Sequence, residues 1–313
     1  MLGLILRRLG STAIVMTVVA LFVFGMLHLA PGDPAAIIAG DIATQEDIAR
    51  IRAKLGLDRP LVEQFVVWLG HILTGDLGRS IFSDRPVAEL IAQRMEPSLA
   101  LATTTMIFSV LVAVPLGILA AWRAGSWVDR LVMSFAVLGF SVPVFVFAYV
   151  LILLFAVNLK WLPVMGYVSF REDVGGFLKS LAMPTLALGV TYVALIARIT
   201  RAAMLEVIHQ DYIRTAHAKG LALAPILLRH ALKPASVPIV TTIGIGVALL
   251  IGGVVVTESV FAIPGLGRLT VDAILRRDYP IIQGVILIFS GVYVLINLVI
   301  DIVYTFLDPR IRY

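Results

Sequence analysis

The sequence predicts an all-α fold, a polytopic membrane protein with six transmembrane helices. Two observations predict it. Of the 313 residues, 60% are hydrophobic and 14% charged, whereas a water-soluble domain carries roughly a quarter charged residues. With a mean hydropathy of +0.99, the chain has too little polar material to cover a surface facing water. The second observation is length. Apolar runs near 9–30, 98–122, 131–157, 182–200, 236–260 and 281–307 each approach or exceed the roughly 20 helical residues that cross a bilayer.

The first run follows Arg7 and Arg8 and exceeds the apolar core of a signal peptide, about 7–15 residues, so an uncleaved N-terminal span over 1–30 is expected. Residues 31–97 then form a polar segment with helix signals. In "ATQEDIARIRAKLGLD", Thr44 is an N-cap with Asp47 three residues on, and Gly56 is a stop. "LDRPLVEQFVVWLGHILTG" and "SDRPVAELIAQRM" each open on Asp-Arg-Pro, an acidic cap followed by a proline in the first turn. Three short amphipathic helices would make a small cap between spans one and two. A five-span core follows over 98–307, and a tail over 308–313.

Within that core, Pro115, Pro143 and the "GFSVP" run around Ser141 predict kinks in spans two and three. Arg198 and Arg201 close the fourth run early. Gly244, Ala248 and Gly252 recur at a spacing of four, a small-residue face for close helix contact or a smooth wall along a substrate path. Glu258 lies near the end of the fifth run. A carboxylate there either snorkels to the interface or serves a gate or pathway, and Ser141 is a second candidate for that role. Asn297 and Asp301, one turn apart, are placed to bond a neighbouring helix.

Charge sets the orientation. With the N-terminus in the cytoplasm, the inner segments (1–8, 123–130, 198–235 and 308–313) hold 12 Lys/Arg and 4 Asp/Glu in 60 residues. The outer ones (31–97, 158–181 and 262–280) hold 13 and 14 in 110. The denser basic side is the inner one, so both termini are expected in the cytoplasm.

The largest inner loop, 203–235, contains "DYIRTAHAKGLALAPILLRHALKPASVP". A helix through Leu205, Ile208, Tyr212 and Thr215 has one moderately apolar side. Gly220 ends it in the left-handed conformation. Pro225 opens a second short helix carrying Leu228 and Leu232 on one face with Arg229 and Lys233 on another, and Pro234 stops it. A helix, a glycine turn and a short helix make an apolar and basic knuckle shaped for a partner's groove.

Several chemistries are excluded. With no cysteine there is no thiolate or Cys-ligated metal. None of Lys54, Lys160, Lys179, Lys219 and Lys233 follows a glycine, so the phosphate-binding Gly-Lys-Ser/Thr loop of an ATPase is missing. His28, His71, His209, His217 and His230 form no His-Glu-x-x-His pair, and no Gly-x-Ser-x-Gly elbow occurs. Neither an enzyme nor a metal site is expected. An ion-coupled secondary transporter is the rival reading, but it wants several acidic residues in mid-span and inverted repeats, and only Glu258 and Asp301 lie in spans, near their ends.

"RTAHAKG…LLRHALKPA" resembles the cytoplasmic EAA coupling loop of binding-protein-dependent ABC importer permeases, closest to the branch importing dipeptides, oligopeptides, nickel or glutathione. Aligned on Gly220, the Glu-Ala-Ala of the general pattern is replaced by Arg214-Thr215-Ala216, and the proline falls one place late at Pro234. "LAPGDPA" (29–35), "LGLDRPLVEQFVVWLGHILTGDLGRSI" (55–81), "RPVAELIAQRMEPSLALA" (85–102), "TESVFAIPGLGRL" (257–269) and "LDPRIR" (307–312) are similar to that branch's blocks, in order. The resemblance implies a type I ABC importer permease core in a bacterial inner membrane, forming half of a translocation pathway, most directly for peptides. It implies ATPase contacts at Arg214, Thr215, Ala216, His217, Lys219, Gly220, Leu221, Leu228 and Arg229. It also implies partners: a second permease, two ATP-binding subunits that carry the ATP and magnesium, a periplasmic or lipid-anchored binding protein, and membrane lipid, with no nucleic acid.

Overall fold

A computed structural model of the chain describes residues 2–29, 35–36, 44–54 and 56–307, and the regular structure among them is helical, with one isolated bridge between Arg79 and Pro86. Residues 30–34 of "LAPGDPA" and the tail 308–313 lie outside them. Helix α1 spans Leu2–Leu29, α2 Gln45–Lys54, α3 Leu61–Leu73 and α4 Val87–Trp122. Helices α5 (Trp127–Ser141) and α6 (Val144–Leu151) follow, α6 running on as a π-helix over Ile152–Asn158. Then come α7 (Val174–Ile208), α8 (Asp211–Ala218), a short turn Leu223–Pro225, a π-helix Ile226–Ala231, α9 (Leu232–Val260), α10 (Leu266–Arg276) and α11 (Tyr279–Leu307).

By length and composition, four stretches of the described residues can cross a membrane: α4, α7, Leu223–Leu250 and Tyr279–Val303. The pair α5 and α6 makes a fifth only if a bend of 101° is allowed within one span. The third run is therefore broken rather than kinked. Val142 turns extended (ψ 126) and Pro143, unable to continue a helix from behind, starts the next one. Helix α1 has 28 residues, with its described apolar stretch over Gly10–Met26.

Three other sequence expectations are corrected. The third cap helix does not stand alone, because it fuses with the second run into the 36-residue α4, which passes through Pro97 and Pro115 without interruption. The Asp-Arg-Pro acids do not cap. Pro60 itself precedes α3 with no side-chain cap, and Asp84 takes a left-handed φ of +51 and pairs with Arg79 at 3.1 Å. The fourth run is not closed by its arginines, for α7 is a 35-residue helix that extends well past both. Gly56, as expected, has a φ of +68 after α2.

Contacts divide the chain into two units, Met1–Arg94 with Leu269–Val294, and Met95–Arg268 with Leu295–Tyr313. In the first, Ala20 and Val23 of α1 pack with Leu287, Trp68, Leu69 and Ile72, and Phe24, Phe65 and Trp68 form an aromatic cluster at centroid distances of 5.3–6.1 Å. Gln283 donates to the Val23 carbonyl at 3.1 Å, and Ser80 to Asp278 at 2.6 Å.

In the second unit α7 is the central helix, with fifteen residues from Ser180 to Met204 buried. Asp173 caps it, accepting from the N–H groups of Gly175 and Gly176 at 2.9 and 2.8 Å. Lipid gives helices no hydrophobic reason to associate, so small residues and close packing must hold them. A Cβ at Gly117 would press into Thr200, and one at Gly246 would lie 3.2 Å from Met106 and 3.3 Å from Tyr192. Arg201 is the charged group in this packing. It reaches Asp129 with two nitrogens at 2.5 and 2.7 Å, and Asp129 is 5% exposed.

Candidate functional site

At the C-terminal end of α7 the chain breaks, then doubles back. His209 accepts the last helical position, its Nδ1 lying 2.7 Å from the Leu205 carbonyl, and Gln210 turns extended (φ −73, ψ 149) before α8 begins. The sequence expectation of one helix through this point is corrected, and the break rotates the face that is buried. Tyr212 and Thr215 are exposed, while Ile213 (1%) and Ala216 (7%) are buried. They meet Ile118, Ala121, Met204, Ile226, Ala231 and Ala235 in one apolar cluster.

Gly220 closes α8 at a φ of +76. Its N–H donates to His217 at 2.9 Å and the Leu221 N–H to Ala216 at 3.3 Å, the paired bonds of a Schellman ending. A Cβ there would meet nothing within 4 Å, so the backbone conformation alone calls for glycine. The second limb also departs from expectation. Pro225 falls at the end of the short turn rather than at its start, and Pro234 stops nothing, because the π-helix passes directly into α9 through Pro234 and Pro238.

Of the nine positions singled out for ATPase contact, Arg214, Thr215, His217, Lys219, Gly220, Leu221, Leu228 and Arg229 are all exposed in this chain. Ala216 is the exception and belongs to the anchor beneath them. Leu228 is 59% exposed, and Leu221 and Tyr212 are exposed as well, so apolar side chains stand clear of the cluster that holds the knuckle.

The other candidates do not converge. Gly244 packs against Ile300 of α11, where a Cβ would overlap that side chain. Ala248 is half-buried, and the surroundings of Gly252 lie outside the described residues. Ser141 is exposed at the α5–α6 break and donates to the Val137 carbonyl at 2.9 Å. Glu258 does not snorkel. It is 0% exposed, accepts from the Ser98 hydroxyl and from the Arg268 N–H at 3.0 Å, while the Leu266 N–H donates to Ser98 at 2.8 Å. A side chain at Gly265 or Gly267 would collide with its carboxylate. The "IPGLG" loop is thus wrapped around a buried acid, which explains its glycines.

Sequence reasoning missed a groove of about 590 Å³ at the other end of this unit from the knuckle, lined by Glu96, Leu99, Thr104, Tyr167, Phe170 and Arg171 among others. Tyr167 and Ser169 donate to one oxygen of Glu96 at 3.0 and 2.5 Å. Burial, with the Glu96 carboxylate beside it, pushes the Tyr167 hydroxyl up to about 12, so it stays a donor at any physiological pH. The acid directly before Pro97 in "RMEPSLALA" was the available signal. Among the described residues no group of acidic residues and histidines could hold a metal ion.

The model of the family described as "Binding-protein-dependent transport system inner membrane component" matches residues 113–313, and the model of that family's N-terminal region matches residues 1–102. A "Probable peptide ABC transporter permease protein" of Sinorhizobium fredii is 55% identical over 309 residues, covering 99% of both chains. The glutathione transport system permease protein GsiC of Salmonella typhimurium is 44% identical over 313 residues, covering 100% of both. Among solved structures, an inward-facing MetNI methionine ABC transporter matches with a TM-score of 0.58 at 20% identity, over 70% of this chain and 96% of that one. That likeness concerns the fold.

Proposed function

The chain belongs to the family of binding-protein-dependent transport system inner membrane components, and we propose that within it this chain is the permease subunit of an ATP-driven importer of peptides. A second permease would complete the pathway. Two ATP-binding subunits, holding the ATP and magnesium, would grip one knuckle each, and a periplasmic or lipid-anchored binding protein would deliver the cargo. The observation that carries this reading is the knuckle itself, which is anchored by a buried cluster and leaves Tyr212, Leu221 and Leu228 exposed beside basic side chains, apolar and basic chemistry for a partner's groove. The peptide cargo rests on the relative at 55% identity. Glutathione is the second reading, favoured by the relative at 44%.

The bacterial inner membrane, a sixth crossing by α1 and cytoplasmic termini belong to the same proposal. At 1.5 Å per residue, the 28 residues of α1 reach about 42 Å, more than the roughly 30 Å of a bilayer core. Orientation rests on the denser basic charge of the knuckle side. A phosphatase reporter active at residue 220, rather than at residue 60, would reverse it.

Proteoliposomes holding the chain with its permease and ATPase partners, supplied with loaded binding protein, should take up dipeptides only with ATP, and the isolated chain should hydrolyse none. Uptake of glutathione in preference to dipeptides decides for the second reading. ATPase activity in the isolated chain rules out the division of labour. In the same assay Gly220→Val should lower uptake severalfold and uncouple it from hydrolysis, while the complex still forms. A side chain at positive φ costs roughly 1 kcal/mol, more when β-branched, and with open space around the position Gly220→Asn should behave nearly as wild type. Unchanged coupling in Gly220→Val would remove the turn from the mechanism.

A further inference from the structure

The groove at the far end of the second unit carries charge in an arrangement the helix packing does not use. Glu96 is held through Oε1 by the Tyr167 and Ser169 hydroxyls, while Oε2 accepts no hydrogen bond from the described residues. Its orientation is therefore set in advance, and a free acceptor is left over. Arg171 lines the same groove, yet among the described residues no ion pair joins it to Glu96. Both side chains line the groove without a direct ion pair, so each keeps hydrogen-bonding atoms for a ligand. Part of the wall is aromatic. Phe170 and Phe177 meet edge to face at 5.4 Å, and Tyr167 meets Phe177 at 6.2 Å. Leu99 and Ala100 extend the apolar surface, and Thr104 stands 3.0 Å from Thr185. The volume of about 590 Å³ lies within the range of small-molecule sites, roughly 300–1,000 Å³.

We propose that this groove is a transit subsite for a short peptide, with the Glu96 carboxylate receiving the terminal ammonium, Arg171 the terminal carboxylate, and the aromatic wall an apolar side chain. A zwitterion matches both charges at once. An anionic phospholipid headgroup would satisfy Arg171 but set its phosphate against Glu96. A zwitterionic headgroup also matches both charges but lacks the apolar side chain that the aromatic wall receives, and the test separates it from peptide. An exposed groove holds its ligand weakly, which suits a station that must also release it. The inference rests on the peptide reading given above.

The test uses the assembled transporter in nanodiscs without its binding protein, with retention of a radiolabelled apolar tripeptide measured beside that of its N-acetylated and C-amidated forms. Wild type should retain the free tripeptide about tenfold better than the acetylated one, the loss expected for one charge-assisted hydrogen bond. Glu96→Gln should weaken the free tripeptide about tenfold and abolish discrimination against the acetylated form, which a merely structural role for Glu96 would not do. Arg171→Gln should abolish discrimination against the amide, and it stands in if Glu96→Gln does not assemble. Undiminished discrimination in both variants overturns the subsite. So does phospholipid that co-purifies with wild type, is lost from Arg171→Gln and is not displaced by peptide. If wild type imports peptide with its binding protein yet retains none without it, the subsite alone fails. If it imports no peptide at all, the peptide reading fails and takes the subsite with it.

Discussion

Glu258→Leu should destabilise the chain by about 3 kcal/mol or more, as two buried backbone and side-chain donors each lose a partner at roughly 1–3 kcal/mol. The carboxylate is fully buried and binds the Ser98 hydroxyl and the Arg268 N–H. The Ile263 N–H bonds the Glu258 carbonyl at 2.9 Å, so both the side chain and the backbone of this residue hold the loop. Leucine has the volume but no acceptor. Glu258→Gln keeps one oxygen and should lose about half as much, and Ser98→Ala about 1 kcal/mol. Thermal unfolding of the purified chain in detergent, followed by size-exclusion, ranks the three. A Leu variant as stable as wild type would show that the loop does not depend on this acid.

Arg201→Met should be nearly as damaging, costing about 3 kcal/mol, the lower end of the range for stranding one partner of a buried ion pair because the arginine keeps contact with solvent. Asp129 is left with the Gly125 N–H at 2.9 Å and no ion pair, with only the more distant Arg130 charge beside it. The double variant Asp129→Leu with Arg201→Met should recover most of the loss, since apolar replacement of such a pair is often neutral. Equal instability in the single and double variants would assign the effect to packing of the arginine stem instead.

How much was legible in the sequence depends on where each partner lies. The glycine turn at 220 could be read because the residue and its reason are the same residue, a left-handed φ. The apolar runs marked where helices lie but not their extent nor, between 131 and 157, their continuity. Arg198 and Arg201 looked like the end of a span because their counterweights were invisible: Asp129 is 72 positions from Arg201, and the Phe140 ring lies 5.7 Å from the Arg198 guanidinium. Glu258 offered only snorkelling or a gate for the same reason, with Ser98 160 positions away. The break at His209–Gln210 left no sign, having neither glycine nor proline, and it decided which face of α8 is buried. Pro143 did announce a break, though nothing in the composition fixed an angle of 101°. The groove was missed because its two charges sit on different elements, one before Pro97 and one in the loop ahead of α7.

Helix α7 gives the molecule a transmission shaft. Its 35 residues make a rod of about 52 Å, with the groove beside its first turns and the knuckle hinged to its last. A rod passes on a push along its axis at full amplitude, so the two ends report each other's position without a chain of intervening switches. The link at Gln210 is extended, yet it is no free swivel. Ile213 and Ala216 bolt α8 to Met204 of the shaft itself, so whatever shifts the knuckle shifts the end of the rod with it.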